Sequence, residues 1–158
     1  MAAPNLPTLV PTAYSSTTGT AYTTTTVTNI DEDIGSPDAS YIVAGANSTA
    51  TIFYNITDMP SDFVFMKTLN YNVRYKIEGL AGDTEVLSIQ VFKSDKTTAL
   101  TNKMQIVSTT ANIAITNSGS TAFTGVSTTA TKAEWDAAYV AIFTAHSANK
   151  VQMVPCGA

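Results

Sequence analysis

The sequence predicts an all-β, antiparallel domain, a sandwich or a barrel, and three observations carry that prediction. Apolar residues alternate with polar ones through STATIFYNI (48–56), LNYNVRYKI (69–77) and EVLSIQVF (85–92), the period-two pattern of strands with one covered face. Such stretches recur roughly every dozen residues with Gly, Pro, Asn, Asp and Ser between them. No βαβ alternation, heptad or internal repeat competes with this reading. A chain of 158 residues is the size of one domain with room for a core.

Taken in order, residues 1–20 carry Pro4, Pro7 and Pro11 and a Ser/Thr/Gly run. Proline fixes φ and removes a donor, so this stretch reads as an extended arm, with 21–158 as a single β domain. An arm of this kind is suited to lying on a partner. Pro4, Leu6, Pro7, Leu9, Val10, Pro11 and Tyr14 are its candidate partner contacts. AYTTTTVT (21–28) is β-branched and suits a strand. NIDEDIGSPDAS (29–40) is dense in turn formers.

In 48–56, Ala50, Ile52 and Tyr54 share one face, and Thr49, Thr51 and Phe53 the other. DMPSD (58–62) turns the chain. In 69–77, Leu69, Tyr71, Val73, Tyr75 and Ile77 point one way, and Asn70, Asn72, Arg74 and Lys76 the other. GLAGD (79–83) turns; 85–92 alternates through Leu87, Ile89 and Val91; SDKTT (94–98) turns again. MQIV (104–107), NIAIT (112–116) and TAFTGVS (121–127) are shorter β runs.

ATKAEWDAAYVAIFTAH (130–146) admits two readings. Thr131 with Glu134 forms a capping box, and Trp135, Ala138, Tyr139, Ile142 and Phe143 fall on a helical stripe. AYVAIFTA, however, is aromatic and β-branched and has no Glu, Lys or Gln for a solvent-facing helical side. A sheet body needs a closing strand here, so one helical turn near 131–136 and a strand over 138–146 are expected.

Charged residues make up only 13% of the chain, about half the usual share, so the surface is polar by hydroxyl, as in chains that lie against other chains. The charge is uneven. Residues 1–66 hold Asp31, Glu32, Asp33, Asp38, Asp58 and Asp62 and no base; the remaining six acids face all eight bases, giving −6 and then +2. Eight scattered bases do not make a phosphate-binding surface, so no nucleic-acid partner is expected. The start lacks a basic n-region and its prolines interrupt any apolar run, so neither a signal peptide nor a membrane span is expected. Cys156 is the only cysteine, which rules out an internal disulfide.

His146 is the only histidine. It is one candidate base, or simply the surface end of a strand. No G-x-S-x-G elbow, glycine-rich phosphate loop or H-E-x-x-H is present; no catalytic residue, enzyme activity or cofactor is expected, although carboxylates that meet only in space stay open. Asp31, Asp33 and Asp38, beside Glu32, are calcium candidates by ligand hardness; EF-hand spacing is absent, and a solvated acidic loop is the competing reading. Trp135 is a candidate structural anchor; with the seven tyrosines it would alternatively belong to a sugar-stacking face.

At NIDEDIGSPDASYI, LNYNVRYKIEG and ATKAEWDAAYVAIFTAH, the chain resembles small β-sandwich proteins encoded in the structural modules of tailed bacteriophages. In that group an acidic SPDA turn precedes the first core strands, and a T-x-A-[DE]-W-[DN] turn leads into the last long strand. The match covers about 29–146 and its motifs are structural. The chain departs from the pattern in the small pair Ala137-Ala138 after the tryptophan turn, and no attached fibre domain is expected. The resemblance implies a jelly-roll-like virion protein made in the host cytoplasm. Its expected role is a capsid decoration (cement) protein bridging subunits of the major capsid protein, as a homo-oligomer, a trimer. The alternative is a carbohydrate-binding, receptor-binding module of a tail fibre or spike. Coplanar exposed aromatics would mark the second; an arm contacting other chains would mark the first.

Overall fold

The computed structural model describes residues 11–19, 42–43, 49–78, 85–109, 113–146 and 150–154. Over these it is mostly strand, in antiparallel sheets, with a single short helix. The strands are β1 (Pro11–Gly19), β2 (Ile42–Val43), β3 (Thr49–Ile56), β4 (Asn70–Tyr71), β5 (Arg74–Glu78) and β6 (Glu85–Phe92). They continue with β7 (Met104–Thr109), β8 (Ile113–Asn117), β9 (Thr121–Ala122), β10 (Tyr139–His146) and β11 (Lys150–Val154), and helix α1 (Lys132–Asp136) precedes β10. Five strands form one sheet in the order β1-β3-β10-β6-β7, four form another in the order β2-β11-β5-β8, and β4 pairs with β9.

The period-two faces fall as the sequence expects. Ala50, Ile52 and Tyr54 of β3, Leu87 of β6 and Ile142 of β10 enter one buried cluster, and Tyr75 of β5 joins them from the four-stranded sheet. A second cluster gathers Ile56, Met59, Tyr71, Ile89, Val91, Leu100, Phe123, Ala130, Trp135 and Ala138. Burying each such large side chain contributes about 1.5–3 kcal/mol, so the two clusters are the main source of cohesion.

The segment 130–146 divides as expected. Thr131 caps α1: its Oγ1 accepts from the Glu134 N–H, and the Glu134 carboxylate accepts from the Thr131 N–H in return. After one turn the chain enters β10, which lies in the middle of its sheet, paired with β3 on one side and β6 on the other. That central position explains the missing Glu, Lys and Gln: Ala141 and Thr144 are buried on either face of the strand.

Three expectations change. The strand expected over 69–77 is two strands. Asn72 and Val73 interrupt it because the Val73 N–H donates to Ser118 Oγ (2.9 Å) while its carbonyl accepts from the Ser118 N–H (2.8 Å). Pairing then passes from β9 to β8 and β11. In the arm expected over 1–20, Pro11–Gly19 is the edge strand β1, registered on β3 from Pro11↔Ile56 to Gly19↔Ala50 with two bulges. Proline and bulges are tolerated at a sheet edge. The same section of TAFTGVS beyond Ala122 is not strand; Gly125 there has φ +61°.

Candidate functional site

Alternation that sends Ile52, Tyr54, Val140, Ile142 and Val91 to the core sends their neighbours to the opposite face of the five-stranded sheet. The register places Phe53 beside Ala141, Tyr139 beside Phe92, and Phe143 beside Ser88. The rings of Phe53 and Phe92 sit 6.2 Å apart at 63°, and those of Phe92 and Phe143 6.2 Å apart at 59°. Small Ala141 leaves room between them. Phe53 is buried, and Phe92, Phe143 and Tyr139 are half-buried.

Two lysines from the 93–103 connection lie over this aromatic face. Lys96 Nζ stands 4.7 Å from the Tyr139 ring centre and 5.5 Å from that of Phe53, and it donates to Ser16 Oγ of β1 at 2.7 Å. Lys103 Nζ stands 3.8 Å above the Phe143 ring. An ammonium over an aromatic face is attracted by the ring quadrupole, by about 0.5–1 kcal/mol where water reaches it. Neither lysine has a carboxylate partner among the described residues.

The backbone is bent to deliver Lys96. Its φ is +59°, a left-handed conformation that costs a non-glycine residue about 1–2 kcal/mol. Asp95 holds the turn: its carboxylate accepts from the N–H groups of Thr97 and Thr98 and from the Thr98 hydroxyl. Those bonds, the Thr98 hydroxyl first, hold its pKa well below the ordinary carboxylate range. Thr101, buried, fixes the other end by accepting from the Val91 N–H and, through its carbonyl, from Gln90 Nε2.

At the chain's other projecting surface, the Thr57–Leu69 connection leaves β3 through Met59, whose N–H donates to Asp136 Oδ1 at 2.8 Å. Phe63, Met66 and Leu69 pack inward on the second cluster. Val64 and Phe65 do not: they are 82% and 54% exposed. Asp58 and Asp62 are exposed on the same connection, with Lys67 beyond the apolar pair.

Compared with protein-family models, curated proteins and solved structures, the chain matches none.

The residues singled out from sequence fall as follows. Trp135 is fully buried in the second cluster, so its ring is no stacking platform; its indole N–H has no hydrogen-bond partner among the described residues. Around it, Lys93 pairs with Glu134 at 2.7 Å and Lys132 with Asp136 at 2.6 Å. The Lys93 ammonium and then the Thr131 N–H lower Glu134 to about 2. Lys132, then the Met59 N–H, lower Asp136. Both carboxylates are thus held ionised. Tyr14 is 42% exposed on β1, its ring 6.2 Å from that of Tyr54, and Pro11 opens the same strand. Pro4, Leu6, Pro7, Leu9 and Val10, the candidates Asp31, Asp33 and Asp38, and Cys156 lie outside the described residues. His146 ends β10 opposite Glu85. Among the described residues no three His, Cys, Asp or Glu side chains gather as a metal site would require, and no helix is long and apolar enough to cross a membrane.

Sequence reasoning did not single out the Lys96–Lys103 face or Val64-Phe65. The second carried a signal: FVFM (63–66) follows a turn and obeys neither a two- nor a 3.6-residue period.

Proposed function

We propose that this chain is a structural subunit that works by burying surface against other chains, and that its particle is a virion, with the chain as a capsid decoration protein. The observation that carries the reading is the pair of surfaces just described. A half-buried aromatic face topped by lysines that meet no carboxylate among the described residues, and an exposed Val64-Phe65 preceded by acids, are what a chain presents to neighbours. Large exposed apolar side chains on a soluble body mark contact sites. The low charge and the sequence resemblance to tailed-phage sandwich proteins support the virion assignment, and Tyr75 meeting β3, β6 and β10 across one core supports a jelly-roll-like sandwich. Capsid subunits, contacted in part by the N-terminal segment, are then the partners, and expansion or rupture of the shell has to break those contacts.

The carbohydrate-binding reading ranks second. It needs coplanar open rings, whereas the aromatics of the outer face are tilted by 59° and 63° and carry ammonium groups.

Immunogold labelling of purified phage particles with antibodies raised against the chain tests the assignment. Gold distributed over heads is the expected result. Gold confined to tail tips moves the chain to the second reading, and unlabelled particles overturn both.

A further inference from the structure

The two projecting surfaces are complementary to each other. One presents Lys96 over Phe53 and Tyr139 and Lys103 over Phe143, with Phe92 between the phenylalanine rings, and neither lysine meets a carboxylate among the described residues. The other presents exposed Asp58 and Asp62 ahead of exposed Val64 and Phe65, with exposed Lys67 beyond them. Asp95, the carboxylate nearest to Lys96 in sequence, is occupied by its own turn, and Glu134 and Asp136 are occupied by Lys93 and Lys132. Among the described residues, Lys96 and Lys103 on the aromatic face and Asp58 and Asp62 on the 57–69 connection therefore lack an ion-pair partner, with Lys67 an exposed base later on that same connection.

We infer that the chain binds a second copy of itself by seating the Asp58–Phe65 connection of one copy on the Lys96–Lys103 aromatic face of the next. Asp58 and Asp62 meet the two ammonium groups, and Val64 and Phe65 lie against the half-buried rings of Phe92, Phe143 and Tyr139. The occupant is another copy because the two halves of the contact have opposite charge and matching apolar character on one polypeptide. Both surfaces stand at the same end of the five-stranded sheet, where β3 and β6 finish and β10 begins. Two copies therefore satisfy each other's contact by a two-fold arrangement, while a rotation that closes differently gives a ring. A stable interface needs on the order of 1,200 Å² in total, which calls for the whole aromatic face together with the projecting connection. The inference rests on the reading of the chain as an assembly subunit and specifies its self-contact.

Charge reversal with mixing tests it. The full chain is measured by sedimentation velocity at about 0.05 M and about 0.5 M salt, on either side of the roughly 10 Å screening length at 0.1 M. Wild type is expected above monomer mass at low salt and to dissociate toward monomer at high salt. Lys103→Glu, at a side chain that makes no hydrogen bond among the described residues, weakens association by about tenfold. Lys96→Glu/Lys103→Glu and Asp58→Lys/Asp62→Lys each remain monomeric alone, and their equimolar mixture regains the wild-type mass. Each variant's far-ultraviolet circular dichroism is compared with wild type so that loss of fold is not read as loss of contact. A monomeric wild type, an unchanged Lys103→Glu, or folded single variants whose mixture stays monomeric overturns the inference. Labelled virions with a monomeric free protein leave the decoration reading standing and remove this one; a self-associating chain absent from virions does the reverse.

Discussion

Replacing Trp135 with alanine removes the largest fully buried side chain among the described residues. The ring sits in the cluster that joins Ile56 and Met59 to Val91, Leu100 and Ala138, so its loss leaves a cavity bordered by the ends of β3, β6 and β10. Truncations of this kind cost about 3–5 kcal/mol. For a chain of this length each kcal/mol lowers Tm by about 2–4 °C, which gives an expected fall of roughly 6–20 °C. Because Trp135 is the only tryptophan, the melt is followed by circular dichroism in the strand region. Trp135→Phe serves as the internal comparison. It keeps an aromatic ring and deletes an indole N–H that is buried without a partner among the described residues, and an unpartnered buried donor costs about 1–3 kcal/mol. Its fall in Tm is therefore expected to be much the smaller of the two. An unchanged Tm for Trp135→Ala refutes the core assignment and returns the ring to the surface; equal losses for both variants refute the account of the indole N–H.

Gly125→Ala is expected to lower stability more than Gly119→Ala. Both sites have positive φ, but a Cβ at Gly125 meets the Asn102 side chain at 2.5 Å whereas one at Gly119 meets nothing within 4 Å. Gly119→Ala costs only the left-handed penalty of about 1–2 kcal/mol, and denaturant midpoints rank the two. Deleting residues 1–19 is expected to strip β1 from β3 and leave a bare eight-residue edge, so thermal aggregation sets in earlier. Acid sensitivity follows from Glu134. Its folded value of about 2 lies below the ordinary 4.5, so the fold favours the ionised form. Its contribution is complete above pH 4.5 and disappears as pH falls toward 2. Lys93→Met, removing the first cause of that shift, is expected to flatten the dependence of Tm on pH within this window.

The parts of the fold legible in sequence are those where one face is covered and the other is not. β3 and β6 were readable because Ile52, Tyr54, Leu87 and Ile89 alternate with polar or aromatic neighbours. The capping box at Thr131 was readable because it is local. β10 was harder, since a strand covered on both faces loses its period and AYVAIFTA then resembles a buried helix. Splitting β4 from β5 depends on Ser118, 45 residues from Val73, a contact that local pattern does not encode. Pro11–Gly19 looked like an arm because edge strands tolerate proline and hydroxyl residues as arms do. The outer face was hidden for a related reason: Phe53, Phe92 and Phe143 come from three strands, and the lysines above them from a turn with φ +59° at Lys96.

Placing β10 between β3 and β6 also sets a timetable for biosynthesis. The two strands it joins leave the ribosome long before it does, and neither gains its inner neighbour until residue 146 has emerged. Their long-range pairing closes loops of dozens of residues, which slows folding. During that interval the inward edges of β3 and β6 stand open in the nascent chain, the seconds of greatest risk for pairing with the wrong strand, and a ribosome-associated chaperone would find its substrate there.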